Sequence, residues 1–530
     1  MTVPAPAADT LGGLVAELAA RWPGRPAVVH QGVELTFAAL DAEVDAWARA
    51  LLALGVRHGE SVAVLIGNRP EWLVATVAAA RIGALVTPVN TWYREDELTY
   101  ALEHSRAVVL ITAAGQLKQD FTALVSAVRP GLPSLRTVVG IDASRPADAL
   151  SRADFLTLGE TVTDEDLAAA RARVGGGDDL FLLYTSGSTA RPKGVLLGHH
   201  ATIANDFAIG ERMGLDPTDR AWVAIPLFYG FAAVNAVVAV WSHGGALVLQ
   251  ESFDADAALD LIASQRATVY YGLGNMTRAL LAANAAHPRD ISSLRKGLTG
   301  YSYEDKRLVV EDLGVTGCCS IYGLTESHGL AAMTDHRDPV EVRLTSDGRA
   351  LPGWELRVVD PVTEEPVAVG ETGHLLIRGF LTRGYLGDPG LTASVLTADG
   401  FFRTGDLVRV DEGGALHFHS RLKEVIKTGG INVSPLEVEH VLESHPAVSL
   451  ALAFGVPDAE RGEAVVAVVA LADGASVTEE ELRAHVKGRA AGFKVPRRTV
   501  FRSAESLPRL ASGKVARRAL RDEVLAVTDP

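Results

Sequence analysis

The stretch LFLLYTSGSTARPKGV, Leu180–Val195, decides how this chain is read. Its opening run of apolar residues suits a buried strand. The strand leads directly into a loop carrying Thr185, Ser186, Gly187, Ser188 and Thr189, followed by Lys193. Glycine lets main-chain N–H groups approach an anion, and the hydroxyls can add O–H donors. The Walker A pattern does not fit, because Lys193 precedes Gly194 and no Gly-Lys-Ser/Thr occurs here. Taken alone, the loop reads either as a phosphate cradle or as a flexible turn.

Working outward, LTFAALDAEVDAWARALLALGV (Leu35–Val56) spaces its apolar residues as a helix does, and the short apolar run SVAVLIG (Ser61–Gly67) follows it. EWLVATVAAARIGALVTPVN and YREDELTYALEHSRAVVLIT repeat helix then strand. Near-continuous apolar strands alternating with helices predict parallel sheets covered on both faces. The loop therefore leaves a strand, the place where such sheets commonly bind ligands. AWVAIPL, GALVLQ and ATVYYGLG are further strands of this kind.

Beyond Leu351 the texture changes to short strands between Asp, Glu and Gly turns, as in ELRVVDP, GHLLIRG and LVRVDEGGALHFHS. Past Ser420 the pattern is helix (SPLEVEHVLESH), two strands (VSLALAFGV, AVVAVVALA) and helix (EEELRAHVKGRA). The expected fold class is α/β. A large N-terminal domain, 1–420, holds two parallel-type sheets with helices and a small β-rich subdomain, and a small mobile α+β domain follows at 421–530.

At 530 residues the chain exceeds the roughly 250–300 at which single cores stop growing, so at least two domains are expected. Its formal charge of −15 has no basic cluster, which argues against nucleic acid as a partner. Cys318 and Cys319 are adjacent, so they read as small buried apolar residues rather than as a disulfide or a metal site. HFH, His417–His419, fits the polar face of a strand better than a metal site. No apolar run reaches the roughly 20 residues of a membrane span, and no secretory signal is apparent at the N-terminus. A cytoplasmic location is expected.

Four further motifs follow the loop in order: YGLTES (Tyr322–Ser327), FFRTGDL (Phe401–Leu407), SRLKEVIKTGGINVSPLEVE (Ser420–Glu439) and PRLASGKVARRAL (Pro508–Leu520). Together with GNRPEWLVATVAAARIGALVTPVNTWYREDELTYAL they resemble the superfamily of adenylate-forming enzymes. That superfamily includes acyl-CoA synthetases, adenylation domains of peptide synthetases, and luciferases. The resemblance spans nearly the whole chain and is closest in feel to aryl- or acyl-CoA ligases. It implies attack of a carboxylate on the α-phosphate of ATP, giving an acyl-adenylate and pyrophosphate, then transfer of the acyl group to coenzyme A.

Residue by residue, the resemblance implies that Thr185–Thr189 and Lys193 hold the β- and γ-phosphates. Gly300, Tyr301 and Ser302 form the adenine turn, with Tyr322 stacking on the base beside Gly323. Thr325 bonds the α-phosphate, Glu326 ligates Mg²⁺, Asp406 accepts the ribose hydroxyls, and Arg421 meets the ribose or phosphates. Lys514 bridges the acid and the α-phosphate. Lys423 is the implied hinge, and Gly429 and Gly430 would let pantetheine pass, although a glycine pair also suits a plain hairpin turn. PLFYGFAAVNAVV resembles benzoate-type ligases, so Tyr229, Phe231 and Asn235, with Tyr271, Gly300 and His328, are expected to line the acid pocket. No acidic residue lies between Leu227 and Gln250 to hold an ammonium, which argues against an α-amino acid.

Tyr229 stands where many CoA-forming relatives have His, and TGYSYE (Thr299–Glu304) replaces a Gly-Gly-Ala-Pro-like turn. Ala190 replaces a usual Gly, and Ser420 replaces the Gly that commonly precedes the motif Arg. The expected partners are a small acid, aromatic or short and apolar, together with ATP, Mg²⁺ and CoA; the assembly considered is a homodimer. The alternatives keep ATP activation but change the acceptor: a carrier-protein ligase, or a nitrite-activating diazotase acting on an aromatic amine. A nucleotide-binding regulator without turnover fits poorly with Glu326, Asp406 and Lys514 all present.

Overall fold

Helices and strands alternate as the apolar pattern requires. Thr36 caps the helix Phe37–Ala53 by accepting the Ala39 N–H, and Leu40, Val44, Trp47 and Leu51 recur on its buried face. The following strand, Ser61–Leu65, is buried at every residue, as a strand covered on both faces must be. The computed structural model describes residues 3–117, 119–185, 192–300, 302–428, 431–458, 461–490, 492–509 and 514–528. By contacts the chain divides into two units, Met1–Leu356 with Ile377–Phe402, and Arg357–Leu376 with Arg403–Pro530. This division does not coincide with a boundary at 420, because much of the β-rich segment groups with the C-terminal residues.

The first unit carries two large sheets. One has nine strands, of which Pro26–His30, Ala246–Leu249, Arg220–Val223, Val269–Tyr271, Lys296–Thr299 and Gly317–Tyr322 are successive parallel neighbours. Short antiparallel strands close both of its edges. Cys318 and Cys319 lie buried and free in its strand Gly317–Tyr322, where burial pushes both thiols up, Cys319 to about 12. They are packing residues, as the sequence suggests.

The other sheet has eight strands and is parallel from Asp179–Thr185 through Leu85–Pro88, Ser61–Leu65, Val109–Thr112 and Thr137–Gly140 to Leu150–Ser151. Beyond Asp179–Thr185 the direction reverses. Lys193–Gly198 pairs antiparallel with it, and Gly384–Tyr385 pairs antiparallel with Lys193–Gly198 at the edge. The cradle therefore closes a β-hairpin rather than leading into a helix.

The second unit carries a four-stranded sheet, Glu355–Val359, Thr372–Arg378, Phe402–Val410 and Leu416–Arg421, and a five-stranded one built on the hairpin Val448–Asp458 and Gly462–Leu471. Alternate residues of that hairpin serve two cores. Ala451, Ala453, Val465, Ala467 and Val469 pack with Val438, Leu442, Leu482 and Val486. Leu452, Phe454, Val456, Val466 and Val468 pack with Leu507, Leu520 and Val524. No helix among the described residues is long and apolar enough to cross a membrane.

Candidate active site

Tyr271, Thr299 and Tyr322 end three neighbouring parallel strands of the nine-stranded sheet. Loops at the carboxyl ends of such strands form the crevice where open α/β sheets bind ligands. Gly300 follows the second strand and is buried. Ser302 caps the helix Tyr303–Arg307, its hydroxyl accepting the Asp305 N–H at 3.1 Å, so this expected adenine contact is engaged locally. Tyr301 lies outside the described residues. Tyr322 is buried at its strand end, paired with Ala332.

After Tyr322 the chain turns sharply. A Cβ on Gly323 would sit 1.8 Å from the Gly329 carbonyl oxygen, so only glycine lets the turn close. The Leu324 N–H donates to the Ser327 hydroxyl at 3.0 Å, and Ser327 is fully buried. This presents Thr325 and Glu326, both half-buried, on a short 3-10 turn. Two contacts then hold Glu326. The Thr382 N–H donates to its carbonyl at 2.6 Å, and the Tyr385 hydroxyl donates to its carboxylate at 2.7 Å.

Thr185 and Lys193 face each other across the base of the cradle hairpin. Ser186, Gly187, Ser188 and Thr189 lie outside the described residues. The helix Glu95–His104 braces the hairpin base: the Tyr100 hydroxyl donates to the Pro192 carbonyl at 2.9 Å, and the Tyr184 hydroxyl donates to the Ala101 carbonyl at 3.1 Å. Lys193 Nζ lies 5.4 Å from the centroid of the Tyr385 ring. Tyr385 thus touches both the cradle lysine and Glu326. Neither Tyr385 nor Thr382 is among the residues expected from the sequence.

Of the acid-pocket candidates, Phe231, Tyr271, Asn235 and His328 are linked by direct contacts. Phe231–Ala236 is π-helical, a local expansion that recurs at functional sites. The Phe231 ring lies 5.6 Å from that of Tyr271, and Tyr229 packs against Trp92 at 6.1 Å. The Tyr271 hydroxyl donates to the Asn235 carbonyl at 3.2 Å. The Asn235 amide donates to Asp206 at 2.8 Å and to the His328 carbonyl at 3.1 Å. Asp206 is completely buried, and burial pushes its carboxyl pKa well above the usual range.

Asn68, also buried, spans the approach to this group: its amide donates to the Ile225 carbonyl at 2.9 Å and accepts the Leu227 N–H at 2.8 Å. His328 meets this group through its carbonyl, while its ring turns to main chain. Its Nδ1–H donates to the Phe380 carbonyl at 2.8 Å and its Nε2 accepts the Gly198 N–H at 3.0 Å. The ring is fully buried and spent on main chain, and burial pushes its pKa down to about 4.

In the second unit, Asp406 and Arg421 are cross-strand neighbours, with Arg421 Nε 2.9 Å from an Asp406 carboxylate oxygen. Asp406 is 1% exposed, whereas the Arg421 side chain is 51% exposed. The strand carrying Asp406 is locked by the Thr404 hydroxyl, which donates to the Leu375 carbonyl, and by His374, which accepts the Gly405 N–H. Lys423 is exposed in the turn just beyond Arg421. Gly429 and Gly430 lie outside the described residues. Lys514 is exposed beside the bridge between Arg509 and Val515.

His417 pairs with Asp411 at 3.0 Å and His419 lies 3.7 Å from Glu437. Among the described residues no group of three or more His, Cys, Asp or Glu could hold a metal alone. Glu326 is a single carboxylate. That suits Mg²⁺, which in nucleotide sites takes one or two protein carboxylates and completes its shell with phosphate oxygens and water.

A family model described as AMP-binding enzyme matches residues 15–386, and one described as AMP-binding enzyme C-terminal domain matches 437–514. The chain is 34% identical to the putative acyl-CoA synthetase YngI of Bacillus subtilis, over 98% of this chain and 97% of that one. It is 30% identical to the mitochondrial medium-chain acyl-CoA ligase ACSF2 of Rattus norvegicus, over 97% of this chain and 87% of that one. Its fold matches the crystal structure of the anthranilate CoA ligase AuaEII in complex with anthranoyl-AMP with a TM-score of 0.87, at 27% identity and 98% coverage of each chain.

Proposed function

The chain belongs to the family of AMP-binding enzymes, and from that premise we propose that it joins a carboxylic acid to coenzyme A using ATP, through an acyl-adenylate and with release of pyrophosphate. The observation that carries this reading is the joining of Glu326 to the cradle hairpin through Tyr385, at the carboxyl ends of the parallel strands.

In the first half-reaction a carboxylate oxygen forms a bond to the α-phosphorus, and the bond from that phosphorus to the bridging oxygen of pyrophosphate breaks. One anion attacks another, so the task of the site is to align them and neutralise charge rather than to move protons. Thr185, its neighbours through Thr189 and Lys193 hold the β- and γ-phosphates. Tyr322 meets the adenine, and Thr325 bonds the α-phosphate. Mg²⁺, when bound, neutralises charge on the phosphates. Glu326 is the residue placed to hold it. Asp406, fixed by its strand and by Arg421, accepts the ribose hydroxyls.

Lys514 bridges the acid and the α-phosphate as charge develops. In the second half-reaction the thiol of coenzyme A attacks the acyl carbon and AMP leaves. We assign Lys423 as the pivot that removes Lys514 for this step, with Gly429 and Gly430 beside the pantetheine. An aromatic or short apolar acid is supported by the paired Phe231 and Tyr271 rings beside the buried Asn235 and by the paired Tyr229 and Trp92 rings.

Pyrophosphate release over a panel of aromatic acids, short alkanoic acids and nitrite, with CoA present or omitted, tests the reading. Acid-dependent release, with a thioester formed only when CoA is present, is expected. No pyrophosphate with any acid overturns it, and release only with nitrite plus an arylamine selects the diazotase chemistry instead.

A further inference from the structure

Tyr385 lies in the segment LTRGYLG, Leu381–Gly387, where no catalytic motif marks it. Its main chain pairs with Val195 on the outer side of the cradle hairpin, so its position is set by the same strand that carries Lys193. Gly384 makes room for this with a φ of +127°. Thr382 adds a second tie, since its hydroxyl donates to the Leu196 carbonyl at 2.7 Å while its N–H holds the Glu326 carbonyl. The segment therefore bolts the Glu326 turn, from one sheet, to the strand Lys193–Gly198 of the other.

At the centre of that junction the Tyr385 hydroxyl donates to Glu326 Oε1 at 2.7 Å. A carboxylate that accepts one such bond has its plane fixed, and its remaining lone pairs keep one direction. Over the face of the same ring, Lys193 Nζ sits 5.4 Å from the centroid, within cation–π range.

We propose that Tyr385 is a positioning residue for adenylation, its hydroxyl orienting the Glu326 carboxylate toward Mg²⁺ and its ring seating the Lys193 ammonium that faces the leaving pyrophosphate. The proposal rests on the reading that Glu326 holds the metal. Partners that orient a metal ligand typically contribute about ten- to a hundredfold to metal affinity. Tyr385→Phe isolates the hydroxyl, because the ring and the seat of Lys193 remain.

The test uses the full-length protein with Mn²⁺ as probe and α,β-methylene-ATP as nucleotide. Free Mn²⁺ is read by electron paramagnetic resonance, and binding of the metal-free nucleotide is measured in parallel. Tyr385→Phe is expected to weaken Mn²⁺ about tenfold or more while leaving the metal-free nucleotide affinity as in the wild type. Glu326→Gln should lose Mn²⁺ at least as strongly. Unchanged Mn²⁺ affinity in Tyr385→Phe, with Glu326→Gln impaired, overturns the proposal and leaves the metal reading standing. Equal loss of metal and metal-free nucleotide in Tyr385→Phe also overturns it, because that marks a general disturbance of the site. Unchanged Mn²⁺ affinity in Glu326→Gln refutes the metal reading and the proposal with it.

Discussion

His328 holds the Glu326 turn by accepting the Gly198 N–H and donating to the Phe380 carbonyl, and a proton on its Nε2 would break the first of these bonds. Burial lowers its pKa to about 4, and His199, which accepts the Leu11 N–H, is lowered to about 4 as well. In the unfolded chain both rings take up a proton near the ordinary 6.5, but in the folded one only near 4. The unfolded state therefore binds more protons in that window, and stability falls as pH drops from about 6.5 toward 4. Each ring accounts for about 3 kcal/mol over the full window. The urea midpoint should fall between about pH 7.5 and about pH 5, and His328→Asn should show a shallower fall; a flat wild-type midpoint would contradict this. At this scale the motifs single out Thr325 and Glu326, which the structure places together on one short turn, and Asp406, which it pairs with Arg421. The sequence was silent on Tyr385, whose place comes from pairing with a strand far away in sequence, and on the partners of the His328 ring, because a ring's hydrogen bonds cannot be read from its neighbours.

Among the elements, the helix Pro435–Glu443 joins the second unit's hairpin to its last helix through one side chain. Glu439, 3% exposed, accepts the Ala453 N–H at 2.7 Å and pairs with Arg517 at 2.6 Å. Glu439→Ala leaves a buried N–H and a guanidinium without that partner, a loss of about 3 kcal/mol. Hydrogen exchange should accelerate in Val448–Asp458 and not in Asp179–Thr185. Unchanged protection of Val448–Asp458 would show that Glu439 is not a strut. The periodicity of SPLEVEHVLESH gave away this helix but not the buried acid, because a charged residue on a helix is normally read as its solvated face. The helices and strands flanking the cradle were equally plain from their apolar spacing. The antiparallel return after Thr185 was not, since PKGVLLG is as apolar as a parallel strand and only the short connection distinguishes the two.

For the molecule as a whole, the chain order places the cradle and the Glu326 turn on two different sheets of the first unit, and places Asp406, Lys423 and Lys514 in the second. Assigning adenylation to the first half-reaction, with Lys514 serving that step alone, makes three demands on the enzyme. Adenylate formation must not need coenzyme A, and it must need Lys514, whereas thioester formation from a synthetic acyl-adenylate must not. The exchange of radiolabelled pyrophosphate into ATP, with an accepted acid present and coenzyme A omitted, tests the first of these most directly, with Lys514→Ala as its control. Acid-dependent exchange in the wild type, abolished in Lys514→Ala, is the expected result. Exchange that requires coenzyme A, or release of ADP and phosphate in place of exchange, would contradict activation through an acyl-adenylate.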